Sequence, residues 1–221
     1  MRPAYDIPLP SAAAAATQGL SGMTAPAHAN LRELGQRLKV GDVVFIRIPL
    51  LPFRKVADTT ASWTNHVGIV VEMSDGEPMI AESRVPFSGK TTWSRFVQRS
   101  AGGRVAVARL NHPEAVAAAP LQRAAQRRYG ILYDTGFNLH SRRQFCSRFV
   151  REVMEEAAGI ELGEVENFAT LLARNPQADQ KFWRVWYFGA IPWQRETVTP
   201  ASLLRDGKLQ TYFDGYATLA H

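Results

Sequence analysis

An α+β domain is the fold class this sequence predicts, and three observations predict it. Apolar runs of strand length bunch in the first half of the chain, between Val43 and Leu110. Stretches with helical spacing bunch in the second half, after Pro113. The third is RQFCSRFVREVMEEAAG, residues 143 to 159, which carries the only cysteine, Cys146. Phe149, Val150, Val153, Met154 and Ala157 follow it at spacings of three and four, one face of an amphipathic helix. Gly159 reads as its C-terminal stop.

Taken in order, residues 1 to 30 are rich in Ala, Pro, Ser and Thr, and Arg2 and Asp6 are their only charges. Such a segment has little apolar surface to set against ordering entropy and reads as a disordered tail, with the folded domain over 31–221. Leu31 to Leu38 reads as a short helix. The turn Gly41-Asp42 then feeds the strand Val43 to Ile48. Residues 49 to 64, with Pro49 and Pro52, read as a loop. Asn65 to Glu72 and Pro78 to Ser83 read as two strands around a hairpin turn at Ser74-Asp75-Gly76-Glu77. A long connection with a short helix at 93–99 leads to the strand Arg104 to Leu110. Pro113 to Tyr129 has helical spacing, Tyr133 to Gln144 reads as a loop, and the Cys146 helix follows. Phe168 to Ala173 is a short helix, Phe182 to Trp193 an aromatic wall expected to be buried, and Thr199-Pro200 the cap and first residue of a last helical turn.

Composition narrows the function. The chain has 221 residues, 46% hydrophobic, with net charge +6. One cysteine excludes an internal disulfide framework and a cysteine-based zinc cluster, and a free thiol suits a reducing, cytoplasmic setting. No apolar run approaches the ~18 residues that span a bilayer. The positive balance suits an anionic surface. No helix-turn-helix, RNA-recognition or zinc-finger pattern supports specific nucleic-acid binding. No glycine-rich phosphate loop or metal-ligand spacing is present, so no cofactor is expected.

The chemistry points to the lone thiol. A helix N-terminus carries unpaired N–H groups and partial positive charge, which favours thiolate. The helix alone also leaves open a buried cysteine serving as a small apolar residue. A thiol nucleophile needs a base and a group to orient it. Of five histidines, His66 opens an apolar strand and His140 lies in a loop. If the hairpin pairs so that facing positions sum to about 150, residue 66 lies opposite about 84, and His66 and Glu82 share a face. A solvent-exposed cross-strand pair remains open for these two residues alone.

Gly41-Asp42, Asn65-His66-Val67-Gly68-Ile69, Ala81-Glu82-Ser83, Tyr133-Asp134 with Phe137, Phe145-Cys146-Ser147 and Thr199-Pro200-Ala201-Ser202-Leu203, in this order, resemble the circularly permuted papain-like hydrolases. These are NlpC-related, in the YiiX/YaeF-like group. AESRVP, RQFCS, FGAIPW and TVTPASL are similar to its YebB-like branch. The resemblance spans about residues 38 to 206. It implies a permuted papain-like fold, with an antiparallel sheet packed against the cysteine-bearing helix. It also implies Cys146 as nucleophile, His66 as base, Glu82 as the residue orienting the base, and Tyr133 with its hydroxyl toward the oxyanion. Tyr133 could equally be ordinary aromatic packing. Arg148 stands where YiiX-type members tend to have Glu.

Three functions follow from this reading. The first is a thiol hydrolase acting on a small amide, peptide or ester through a thioester acyl-enzyme. The second is lipid-directed acyl transfer or hydrolysis on the same scaffold. The third is a binding module that keeps the fold without catalysis. Oligomeric state is not legible.

Overall fold

The computed structural model describes residues 26–219. In chain order its elements are β1 (Ala27–Asn30), α1 (Leu31–Arg37), β2 (Val43–Ile46), α2 (Leu51–Thr59), β3 (His66–Ser74), β4 (Glu77–Glu82), β5 (Gly89–Thr92), α3 (Trp93–Gln98), β6 (Arg104–Leu110), α4 (Ala118–Gln126), α5 (Cys146–Ala158), β7 (Val165–Asn167), α6 (Phe168–Arg174), α7 (Gln180–Trp186), β8 (Glu196–Val198), α8 (Pro200–Leu204) and β9 (Leu209–Thr218).

Seven strands form one sheet in the order β1-β9-β6-β2-β3-β4-β5, antiparallel except for the β1–β9 edge pair. Strand alternation divides its residues between two apolar layers. Val43, Phe45, Val67, Ile69, Ala106 and Ala108 face α4 and α5, where Phe149, Val150, Val153 and Met154 pack on them. Val44, Ile46, Val70, Ile80, Val105 and Val107 face Leu34 of α1 and Trp93 and Phe96 of α3. The central strand β2 is therefore buried on both faces, which accounts for its unbroken apolar run. Burying the four large α5 side chains contributes about 2 kcal/mol each. Gly159 ends α5 in the left-handed region at φ 67°, its N–H bonding the Glu155 carbonyl at 2.7 Å.

The hairpin register is the one expected. Ile69 faces Ala81 and Val70 faces Ile80, before a bulge shifts the turn end by one residue. Gly68 is required at the close approach between layers. A Cβ there would lie 2.5 Å from Ile80 Cγ2 and 3.0 Å from Phe96 Cε2.

Several expectations are corrected. Residues 51–59 form α2, not loop, because Pro52 sits in the first helical turn, where its missing N–H costs nothing. The strand expected to reach Ile48 ends at Ile46. β5 lies inside the expected connection. The helix expected over 113–129 is α4 alone, preceded by a 3₁₀ turn at Pro113–Ala115. Ala27–Asn30, assigned to the tail, pair in parallel with β9, and the Asn30 side chain caps α1. Residues 1–25 of that expected tail lie outside the described residues. The aromatic stretch 182–193 is only partly buried. Trp183 is enclosed, whereas Val185, Phe188 and Trp193 are 79%, 100% and 42% exposed. Among the described residues no helix is long and apolar enough to cross a membrane.

Candidate active site

Cys146 is the first residue of α5. Phe145 before it is extended, at φ −125° and ψ 164°, and offers no side-chain cap. The first N–H groups of this helix are thus left without a side-chain acceptor at the position of the thiol. Neighbouring bonds fix that position. Ser147 Oγ donates to the Val198 carbonyl at 2.7 Å, and Ser83 Oγ donates to the Gln144 carbonyl at 3.0 Å. The second bond ties the end of β4 to the residue two before the cysteine.

His66 opens β3. The side chain of Asn65 both accepts from the Ile48 N–H (2.8 Å) and donates to the Ile48 carbonyl (3.0 Å), which sets the backbone entering His66. The imidazole lies between the rings of Phe96 and Phe53, at centroid distances of 5.8 and 6.2 Å. Its Nε2 is 2.6 Å from Glu82 Oε2, and both side chains are buried. The solvent-exposed pair left open by the sequence is therefore not what forms. Nδ1 has no hydrogen-bond partner among the described residues, and this is the nitrogen left for Cys146.

Thiol and ring are close enough for each to shift the other. Burial pushes the His66 pKa down, but the nearby Cys146 charge, and then Glu82, outweigh it and raise it to about 9. Burial pushes the Cys146 thiol up, but the His66 charge, the Val67 N–H and the Tyr133 hydroxyl pull it below its usual value. Both shifts run in the direction that favours a thiolate beside an imidazolium. Glu82 is likewise held below the usual carboxylate range, because His66 and Arg99 together outweigh its desolvation.

Tyr133 is buried, with its hydroxyl 4.0 Å from Cys146 Sγ, the outer limit for a bond to sulfur. Burial and the thiolate together raise its pKa well above 10, so it remains a donor. His140 is not at the site; it meets Glu196 at 2.7 Å on the surface. Arg148 does not face substrate either. Its Nε donates to Glu152 at 2.6 Å, and its Nη1 to the Ser141 and Arg143 carbonyls at 2.6 and 2.9 Å, holding the loop before α5. One residue absent from the sequence reading belongs here. Arg99 Nη2 donates to both Glu82 oxygens, at 2.7 and 2.8 Å. Its three-residue spacing from Phe96, on which it stacks at 5.0 Å, gives no hint of the carboxylate.

A small cavity of about 30 Å³, room for about one water, lies beside the thiol. Phe137, Phe168, Leu171, Trp183 and Val198 supply apolar wall, and Thr59 a hydroxyl.

The sequence pattern of the family described as "Permuted papain-like amidase enzyme, YaeF/YiiX, C92 family" matches residues 37–213. The chain belongs to this family. A relative from the permuted papain-like amidases is the protein of Escherichia coli (strain K12) described as "Uncharacterized protein YiiX". It is 24% identical over 174 residues, which are 78% of this chain and 85% of that protein. The fold is that of the crystal structure of YiiX from Escherichia coli O157:H7, described as a metalloprotein, with a TM-score of 0.73. That likeness covers 80% of this chain and 98% of the other, at 24% identity. In this member of the permuted papain-like family the histidine strand precedes the cysteine helix, β3 before α5.

Proposed function

We propose that this amidase-family protein is a thiol-dependent hydrolase of small amides or peptides, with Cys146 as nucleophile, His66 as acid and base, and Glu82 orienting His66. One observation carries this reading. His66 is anchored through Nε2 by a buried carboxylate, while Nδ1 is left free beside a thiol whose pKa is lowered. The thiolate attacks the carbonyl carbon, and the oxyanion is met by the Cys146 N–H at the helix start and the Tyr133 hydroxyl. The C–N bond breaks as the imidazolium gives its Nδ1 proton to the departing nitrogen, leaving a thioester on Cys146. His66 then takes a proton from water, the hydroxide adds to the thioester, and the acid leaves as the thiolate re-forms. The permuted NlpC-type order and the likeness of AESRVP, RQFCS, FGAIPW and TVTPASL to the YebB-like branch support the same reading. The unpaired thiol fits a reducing, cytoplasmic setting.

Incubation with p-nitrophenyl esters and peptide anilides tests this by intact mass. An acyl adduct on Cys146 that forms in the wild type and in neither Cys146→Ala nor His66→Ala is expected. An adduct that forms equally in His66→Ala would overturn the assignment of the base. The structural neighbour is described as a metalloprotein. Among the described residues no group of three or more His, Cys, Asp or Glu is placed to hold a metal ion. The donor set does not fit such a centre, and no step above uses one.

A second reading, action on a lipid at an anionic surface, is favoured by the exposed aromatic ledge. Fully exposed Phe188, at φ 54°, and Val185 border a groove lined by Trp186, Tyr187 and Pro192. Lys181 and Arg184 are exposed on the same helix, α7. Tyr187 of that groove stacks on Trp183, 6.0 Å between centroids, and Trp183 also borders the thiol, which places the ledge next to the site. Co-sedimentation with phosphatidylglycerol vesicles that is lost in Phe188→Ser would support this reading. Equal binding by both proteins would remove it.

A further inference from the structure

We infer that Arg99 is a positioning residue that sets the charge balance of the buried site, so that thiolate, imidazolium and carboxylate can coexist. This role presupposes the Cys146 nucleophile proposed above.

The ionisable groups facing one another there come from five segments. His66 comes from β3, Glu82 and then Arg84 from the end of β4, Arg99 from the residue closing α3, Tyr133 from the loop before α5, and Cys146 from α5 itself. Asp134 lies beyond Tyr133. In the reactive state Glu82 and Cys146 are negative and His66 is positive. Burial makes an unbalanced charge costly, so this trio alone would take up a proton, on Sγ or on the carboxylate. Arg99 supplies the missing positive charge. Its geometry suits the task. One nitrogen spans both carboxylate oxygens at 2.7 and 2.8 Å, and the guanidinium is steadied on Phe96, whose ring also lies against His66. Arg84 reaches Glu82 only at 3.9 Å and makes no hydrogen bond to it, so it contributes less, although the two arginines are similarly exposed, at 39% and 32%.

Because the chain has a single cysteine, iodoacetamide labelling reads Cys146 alone. Arg99→Met keeps the stem and removes the charge. Its labelling rate at pH 6 should fall about tenfold, the effect of one unit in thiol pKa, while the rate at pH 10 is retained. Arg99→Lys should label at pH 6 within about threefold of wild type. In Glu82→Gln/Arg99→Met the balance is restored, and labelling at pH 6 should recover above that of Arg99→Met. If Arg99→Met does not fold, the double variant against wild type and Arg99→Lys carries the test, with a rate within a few-fold of wild type expected. A folded Arg99→Met with an unchanged pH profile overturns the inference and leaves the hydrolase reading standing. So does a double variant as slow at pH 6 as Arg99→Met, or, where that variant does not fold, one slowed tenfold against wild type. A wild type that labels at pH 6 no faster than a free thiol overturns both.

Discussion

Replacing Gly68 with alanine tests how the two layers of the sheet place His66. An added Cβ would sit 2.5 Å from Ile80 Cγ2, 3.0 Å from Phe96 Cε2 and 3.1 Å from the Ala81 carbonyl oxygen. Ile80 and Phe96 are fully buried, so neither can swing aside into solvent. Overpacking of this kind costs about 1–3 kcal/mol. The two contacts at or below 3.0 Å, one to a branched side chain in mid-strand, place Gly68→Ala near the upper end. At about 2–4 °C per kcal/mol for a domain of this size, the melting temperature should fall by about 4–10 °C. Phe96 also rests on the His66 ring, so labelling of Cys146 near neutral pH should slow as well. Thermal unfolding by circular dichroism gives the first readout and iodoacetamide kinetics the second. Gly207→Ala, where an added Cβ meets nothing within 4 Å, is the matched control and should leave both unchanged. A Gly68→Ala protein as stable as that control would refute the reasoning.

Other expectations concern the site and its supports. Tyr133→Phe should lower kcat on an activated ester by about tenfold or more with little change in KM, as for a group acting on the oxyanion; equal loss in binding would point to packing instead. Asp42→Ala leaves Arg109 without the carboxylate that takes its Nε and Nη2 at 2.7 and 2.8 Å, and Tyr212 without its 2.9 Å acceptor. Asp42 is fully buried, so a loss of about 3–5 kcal/mol by urea titration is expected. Arg148→Glu, which restores the residue type of YiiX-like members, should destabilise by about 1–2 kcal/mol by the same titration, since it removes the loop bonds and opposes Glu152 one turn on. Turnover should follow a bell in pH. The acid limb falls as Cys146 gains a proton below its usual range, and the alkaline limb falls as His66 loses its proton near about 9.

Much of this was legible in the sequence because local rules and packing agreed. The turn at 74–77 marks β3 and β4 as neighbours, but pairing beside it sums to 151, which would turn Glu82 away from His66; the bulge between Val70 and Glu72 brings the sum to 150 and puts the two on one face. The spacing within α5 and its closing Gly159 show one buried face and one end, and so locate Cys146 at the other. What escaped was non-local. β9 has ten residues but gains its sense from β6 and β1, far away in the chain. Pro52 reads as a breaker unless the helix is known to start there. Arg99 lies at the end of a short helix where any polar residue would serve, and only the fold brings it to Glu82. The aromatic density of 182–193 suggested burial, but α7 is short and exposes one side.

The central claim, that His66 and Cys146 form an ion pair, is met most directly by the pH dependence of Cys146 alkylation from pH 5 to 10 in wild type and His66→Gln. The wild type should react well below the usual thiol value of about 8.5, with a second change near about 9 as the imidazolium is lost, and His66→Gln should show one step at or above 8.5. Superimposable single steps at or above 8.5 in both proteins would contradict it.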